Sequence, residues 1–103
     1  MEDVGDECGV GDYMRLMKDY LGGRIEARQY ARSYFDLAKK RRIIPSAEAD
    51  RITQLAYGDA DDYEDDPVLR QQDPRWIGDS ELRERVARSL RELEALGYHT
   101  NEA

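Results

Sequence analysis

The chain is 103 residues long and carries 23 acidic against 16 basic side chains, which gives a formal net charge of −7. This length suits one domain with a single small core. The negative charge argues against nucleic acid and anionic membranes as direct partners, because both attract positively charged surfaces. It favours a basic protein as the partner, with solubility alone as the plain alternative.

Three sequence features favour the cytoplasm. Cys8 is the only cysteine, so no internal disulfide can form. The segment 1–11 has neither the basic start nor the apolar run of a signal peptide. No stretch approaches the roughly 18–20 apolar residues of a membrane-spanning helix. We therefore expect a cytoplasmic protein with no membrane contact, in which residues 1–11 form a flexible acidic tail.

Two helices are predicted after this tail. The first starts at Asp12, an N-cap candidate, and ends at Gly22-Gly23, because glycine adopts the left-handed C-cap conformation without steric cost. Its apolar side chains have the spacing of one helix face; they are Tyr13, Leu16, Met17, Tyr20 and Leu21. The second helix is predicted over 26–42. Its apolar face consists of Ala27, Tyr30, Ala31, Tyr34, Leu37 and Ala38.

The second predicted helix ends in the basic cluster Lys39-Lys40-Arg41-Arg42. In isolation, a basic cluster suggests nucleic-acid binding. We favour helix-end stabilisation, because cations complement the negative end of the helix dipole. Pairing of the cluster with acids elsewhere in the chain is also open.

A third helix is predicted over 47–62, with Ser46 as its N-cap. Its apolar face consists of Ala49, Ile52, Leu55, Ala56 and Tyr63. The end of this helix is dense in acids, which oppose the helix dipole there. Gly58 inside the helix costs about 0.5–1 kcal/mol relative to alanine and is interpreted as a bend. Two local rules are thus broken together, and such violations concentrate at functional sites.

Residues 67–76 are predicted to form a loop. Its apolar side chains and the following Ile77 are expected to pack the loop against the bundle. These side chains are Val68, Leu69, Trp76 and Ile77. The last helix follows, with Gly78 as its N-cap and Gly97 at its end. Its apolar face consists of Leu82, Val86, Leu90, Leu93 and Leu96. The predicted fold is all-α, an antiparallel up-down four-helix bundle over 12–97 with flexible tails at 1–11 and 98–103.

The sequence contains no recognisable catalytic or metal-binding pattern. His99, the only histidine, and Cys8 lie in opposite tails, so a Cys–His nucleophile pair is not predicted. A calcium loop starting at Asp59 would need glycine at its sixth position and glutamate at its twelfth, where the chain has Glu64 and Arg70. We therefore expect a binding protein with no catalytic residue, no metal and no cofactor.

The tyrosines fall into two groups. Those on the core-facing stripes of the first two helices are expected to have buried rings and hydroxyls at the rim; they are Tyr13, Tyr20, Tyr30 and Tyr34. Tyr63 differs, because acids surround it, and two interpretations stay open. It anchors the end of the third helix in the core, or it is an aromatic contact within an acidic interface, a frequent type of hot spot.

Three segments, in their order and spacing, resemble the bacterial self-protective colicin-like immunity proteins, whose best-known member is the colicin D immunity protein. The first is a short helix, a break with Ile25, and a helix bearing Tyr30 and Tyr34. The second is similar to the family's acid-x-aromatic-x-x-Asp segment, often continued by Pro and Leu-Arg; it reads Asp61-Asp62-Tyr63-Glu64-Asp65-Asp66-Pro67-Val68-Leu69-Arg70. The third, 77–83, resembles the opening of the family's last helix.

This resemblance, which covers about Tyr13 to Leu93, implies a small four-helix bundle without enzymatic activity. Family members bind the nuclease domain of a bacterial toxin and block its active site. The colicin D toxin cleaves transfer RNA in the anticodon loop, so its cleft is basic. By the resemblance, Asp61 and Asp66 enter the cleft with Tyr63 between them. Further acids strengthen the field; they are Asp59, Asp62, Glu64 and Asp65.

The chain departs from the family pattern in its denser acids, in Gly58 and in its two tails, which leaves the identity of the toxin open. Physics supports the same partner, because a rigid acidic protrusion satisfies the positive field of a nuclease cleft without offering a scissile bond. We therefore favour an immunity protein, monomeric when free, whose partner is a basic nuclease toxin domain. The alternative is a small acidic helical adaptor or regulatory module that binds another basic protein, including a nucleic-acid mimic.

Overall fold

The computed structural model describes residues 9–40, 44 and 46–98 of the chain. These residues form five helices: α1 (Gly9–Leu21), α2 (Ala27–Lys39), α3 (Ala47–Asp62), α4 (Pro67–Arg70) and α5 (Asp79–Ala95). The described ranges contain no β-strand, only an isolated parallel bridge between Tyr63 and Ile77. This part of the chain is therefore all-helical, as the sequence predicts.

The four longer helices share one core. α1 packs against α2 and α5, α3 packs against the same two helices, and α1 also contacts α3. Side chains of all four helices meet in a single apolar cluster, whose largest members are Tyr13, Met14, Met17, Tyr20, Tyr30, Tyr34, Leu82 and Leu93. The predicted apolar stripes thus bury one another, except at Leu55 and Leu96, which are 48% and 39% exposed and were wrongly assigned to the buried faces. No helix in the described residues is long and apolar enough to cross a bilayer.

The hydroxyls of the core tyrosines are deeper than predicted. The Tyr34 hydroxyl lies in the core and donates to the carbonyl of Thr53 at 2.6 Å. The Tyr30 hydroxyl is buried and has no hydrogen-bond partner among the described residues. The expectation of rim hydroxyls is therefore wrong for these two residues. The cause is ring packing, since the Tyr30 ring centroid lies 4.9 Å from that of Tyr20 and 5.7 Å from that of Tyr34.

The first two helices differ from their predicted bounds. α1 begins at Gly9 rather than at Asp12, because the fully buried Val10 extends its apolar face by one turn. The predicted acidic tail is therefore too long, and residues 1–8 lie outside the described part. α2 ends at Lys39. Arg41 and Arg42 of the basic cluster also lie outside the described residues.

The ends of α3 and α5 agree better with the sequence. Ser46 caps α3 through its Oγ, which accepts from the amide of Ala49 at 3.2 Å. Gly78 is the N-cap of α5, and Gly97 follows the helix with a φ of +100°. Tyr98 corrects the predicted C-terminal tail, because its side chain packs against the core and its amide donates to Leu93. Residues 99–103 lie outside the described part.

The predicted loop over 67–76 contains the one-turn helix α4. Ile77 is 2% exposed, so it packs inside as predicted, but Val68 and Leu69 are 63% and 41% exposed. The expectation that these two side chains tuck against the bundle is wrong. α4 contributes no buried residue, and polar contacts hold it in place instead.

Candidate protein-binding site

The acidic residues between positions 59 and 66, called the acid run below, begin inside the fold. Asp59 is only 6% exposed, and its Oδ1 accepts a hydrogen bond from Nη1 of Arg85 on α5 at 3.2 Å. Burial raises the pKa of the Asp59 carboxyl, an effect that Arg85 only partly offsets. The predicted role of Asp59 as a surface acid is therefore corrected to packing between α3 and α5. The helical period explains this burial, because Asp59 lies on the same buried face of α3 as Ile52 and Ala56.

The chain leaves α3 through a fixed turn. Tyr63 is the C-cap of the helix and lies in its extended conformation against Ile77. The amide of Ile77 donates to the carbonyl of Asp62, and the amide of Glu64 donates to the carbonyl of Ile77, both at 2.9 Å. These two bonds join residues 62 and 64, where the chain leaves α3, to Ile77, which directly precedes the N-cap of α5. The intervening segment 64–76 is thereby attached to the bundle at both its ends.

Two acids of the run stabilise α4. Asp66 is the N-cap of this helix, and its Oδ1 accepts from the amide of Val68 at 2.9 Å. Glu64 accepts from the amide of Asp66 at 3.2 Å through Oε2. Arg70 closes the turn, since its Nη1 donates to the carbonyl of Glu64 at 2.7 Å. Asp66 therefore has a capping role that the sequence analysis did not assign to it.

Asp65 is paired across the fold. Arg28 of α2 donates from Nε and Nη2 to Oδ2 of Asp65, with the Nε contact at 3.1 Å. Arg28 thereby lowers the pKa of the Asp65 carboxyl. Both side chains are partly exposed, at 65% and 38%. This pair neutralises one acid of the predicted field, so the surface is less negative here than the sequence suggests.

A groove of about 230 Å³ lies between α2 and the end of α3. It brings together four of the predicted contact residues, namely Asp61, Tyr63, Glu64 and Asp65. The opposite lining comes from α2, with Arg28, Arg32 and Phe35. Asp61 is exposed, and its carboxylate has no partner in the described part of the chain. The groove thus combines an unpaired acid with aromatic rings.

A second and larger groove of about 520 Å³ adjoins the first. Arg28, Tyr63 and Asp65 line both grooves, and Asp79 and Arg83 line only the second. Tyr63 is half-buried, and burial together with the nearby charge of Asp65 raises its pKa. Neither interpretation of Tyr63 excludes the other, because the residue is bonded to the fold through its backbone and faces both grooves.

The remaining predicted residues lie outside these grooves. Asp62 and Asp66 line neither of them. The side chain of Asp62 has no partner among the described residues, and only its carbonyl is engaged. Sequence reasoning missed Arg28 and Arg32 of α2. Their spacing with Phe35 carried a signal, because positions 28, 32 and 35 share one face of a helix.

The arrangement suits recognition of a cation by a protein surface. An exposed carboxylate beside an aromatic face can bind an ammonium or guanidinium group through charge and through the ring. In the described ranges, no group of three or more His, Cys, Asp or Glu side chains is placed to hold a metal. Comparison of the chain with protein-family models, with curated proteins and with solved structures found no match. The resemblance to colicin-like immunity proteins stays a prediction.

Proposed function

We propose that this protein is an immunity-type inhibitor that binds the basic nuclease domain of a bacterial toxin through the groove at the end of α3. The observation that supports this most directly is the unpaired, exposed carboxylate of Asp61 beside Tyr63. A basic side chain from the nuclease would pair with Asp61 and lie against the tyrosine ring. The Asp61 carboxylate would then take the place of an RNA phosphate on that basic side chain of the nuclease.

The pairing state of each acid decides its contribution. Within the described residues, Asp61 and Asp62 have no ion-pair partner, so we take their charge as available to a partner protein. Asp65 already has Arg28, and a partner cation must compete with it. Asp59 is buried and paired with the half-buried Arg85, so it is no longer a contact candidate. We therefore rank Asp61 and Tyr63 first, and we assign steering to Asp62.

The scaffold favours binding because the site is held in advance. Backbone bonds on both sides of Tyr63 fix the turn, and a preorganised surface loses less conformational entropy on association. The proposal also includes an antiparallel up-down arrangement of the four long helices and a cytoplasmic location. Both are predictions from the sequence. A monomeric free state is also part of the proposal, because the helices bury their own apolar faces.

The decisive experiment first establishes whether the adjacent gene encodes a secreted protein with a basic C-terminal nuclease domain. It then measures binding of that domain. Asp61→Lys is compared with Glu94→Lys, a reversal on the exposed surface of α5 outside both grooves. Both variants change the net charge equally, so their difference reports position rather than total charge. We expect Asp61→Lys to weaken binding by about a hundredfold, as for a hot-spot residue, and Glu94→Lys to weaken it far less.

Two results would overturn the proposal. If the unmodified protein neither binds the nuclease domain nor protects cells from it, the function is wrong. If the two reversals weaken binding equally, the function stands and the groove is not the site. Circular dichroism and thermal unfolding of each variant confirm that the fold is retained.

A second candidate function is a helical adaptor for a basic protein that is not a nuclease. The presence of Arg28 and Arg32 in the groove favours it, because a lining of mixed sign also suits a partner that carries both signs. The activity of the bound partner separates the two candidates. A partner without nuclease activity that depends on Asp61 would favour the adaptor.

A further inference from the structure

The exposed apolar side chains of α4 are a feature that the acidic groove does not explain. Val68 is 63% exposed, the largest exposure among the big apolar side chains of the described residues, and the adjacent Leu69 is 41% exposed. α4 has no buried residue. Burial of its apolar side chains in the core therefore does not account for the position of this helix.

Polar contacts hold α4 in place. Asp66 caps its first turn, and Arg70 bonds the carbonyl of Glu64 at 2.7 Å. The Arg70 guanidinium also packs over Gly78, where any Cβ would lie 3.1 Å from Arg70 Cζ. Gly78 therefore provides the space that lets Arg70 close the turn. The two apolar side chains are thus presented from a restrained backbone rather than from a loose loop.

The charges beside α4 define what can cover it. Asp65 and Asp66 directly precede the helix, and both are exposed. A second copy of the chain in a symmetric contact would bring these acids against themselves, which opposes self-association. An anionic lipid surface is repelled by the net charge of −7. A basic protein surface with an apolar recess complements both the acids and the two side chains.

We propose that Val68 and Leu69 form an apolar contact that enters a recess beside the basic cleft of the partner. This inference rests on the proposed function, and it extends the interface from the groove to α4. The two regions contribute differently. Acids mainly set the association rate and its salt dependence, whereas buried apolar contacts mainly slow dissociation.

The test compares Val68→Ser/Leu69→Ser with the control Leu55→Ser/Leu96→Ser. The control side chains are also exposed, at 48% and 39%, and lie on α3 and after α5. The probe is the same nuclease domain, and association and dissociation rates are measured at low and at moderate salt. We expect the α4 variant to dissociate about tenfold faster with an unchanged salt dependence of association. The control should behave as the unmodified protein.

The outcomes separate the two proposals. If the unmodified protein binds and the α4 variant dissociates at the same rate, the inference is wrong and the proposed function stands. A change confined to the association rate and its salt dependence would also overturn it, since that is the signature of a charge. If the unmodified protein does not bind the nuclease domain, both proposals fail.

Discussion

Arg85 and Asp59 form an ion pair between α5 and α3, and the pair removes one carboxylate from the acidic surface. The Asp59 side chain is 8% exposed and the Arg85 side chain 30%. Arg85 also bonds Glu81 at 3.1 Å within its own helix. An acid that looks like part of an interface in the sequence therefore belongs to the packing of the fold.

Arg85→Met should destabilise the protein by about 1–3 kcal/mol, because it leaves the buried carboxylate of Asp59 without its donor. Urea unfolding at neutral pH measures the loss. Glu81→Gln is the control, since it removes the exposed partner of Arg85, and it should cost less than about 0.5 kcal/mol. Equal effects of the two substitutions would contradict a special role for Asp59.

The cost of Arg85→Met should depend on pH. Without Arg85, the pKa of Asp59 rises further above its ordinary value, because burial is no longer opposed by the arginine. The folded variant then binds this proton more tightly than the unfolded chain, so a rise in pH disfavours folding. The stability gap to the unmodified protein should widen as the pH rises through the folded-state pKa values of Asp59, which lie above the ordinary value of about 4 in both proteins, and narrow below them. Unfolding curves across this range test the sign.

Tyr30→Phe should leave stability unchanged or raise it by up to about 1 kcal/mol, because the buried hydroxyl has no partner among the described residues. Tyr34→Phe is the matched comparison, since its hydroxyl bonds the Thr53 carbonyl at 2.6 Å. That change should cost about 0.5–1.5 kcal/mol. Thermal and urea unfolding measure both. A clear loss of stability in Tyr30→Phe would show that its hydroxyl is satisfied in solution.

Gly58→Ala should stabilise the protein by about 0.5–1 kcal/mol. α3 runs through Gly58, which is exposed, and an added Cβ would meet nothing within 4 Å. Gly23→Ala is the contrasting change, because Gly23 has a φ of +83°, and it should cost about 1 kcal/mol or more. Destabilisation by Gly58→Ala would favour the bend that the sequence suggested at this position.

Asp66→Asn and Asp66→Ala separate capping from partner contact. Asparagine keeps the cap that alanine removes. Faster hydrogen exchange of the Val68 amide in the alanine variant alone would confirm the capping role. Asp66 lines neither groove, and an exposed charge beside α4 mainly affects the association rate. We therefore expect Asp66→Asn to bind the nuclease domain within about threefold of the unmodified protein, well below a hot-spot loss. A loss near that of Asp61→Lys would return Asp66 to the centre of the interface.

Arg28→Met should raise the association rate with a basic partner, by about tenfold at most at low salt. The change frees Asp65 from its internal cation, so the surface potential around the groove becomes more negative. Stopped-flow measurements over a salt series test this. An association rate that falls would show that Arg28 itself contacts the partner.

Local sequence rules predicted the helices well and the long-range pairs poorly. The spacing of Ile52, Ala56 and Tyr63 placed α3 correctly, and the same period would have assigned Asp59 to the buried face. Ser46 and Gly78 marked helix starts because capping depends only on near neighbours. These elements are set by short stretches of chain.

The pairing of Arg28 with Asp65 could not be predicted in this way. The two residues are 37 positions apart, and their contact depends on how α2 lies against the end of α3. The prediction for Val68 and Leu69 was wrong for a different reason, because it assumed that apolar side chains are buried. Contacts of Asp66 and Arg70 position α4 regardless of that preference.

The bridge between Tyr63 and Ile77 has an evolutionary consequence. The segment 64–76 leaves the helical scaffold and returns to it at neighbouring backbone positions, as in a closed surface loop. Substitutions within it are therefore largely decoupled from the packing of the four long helices. Side chains in the segment 64–76 can therefore be replaced as a binding partner changes, while the rest of the chain continues to fold in the same way.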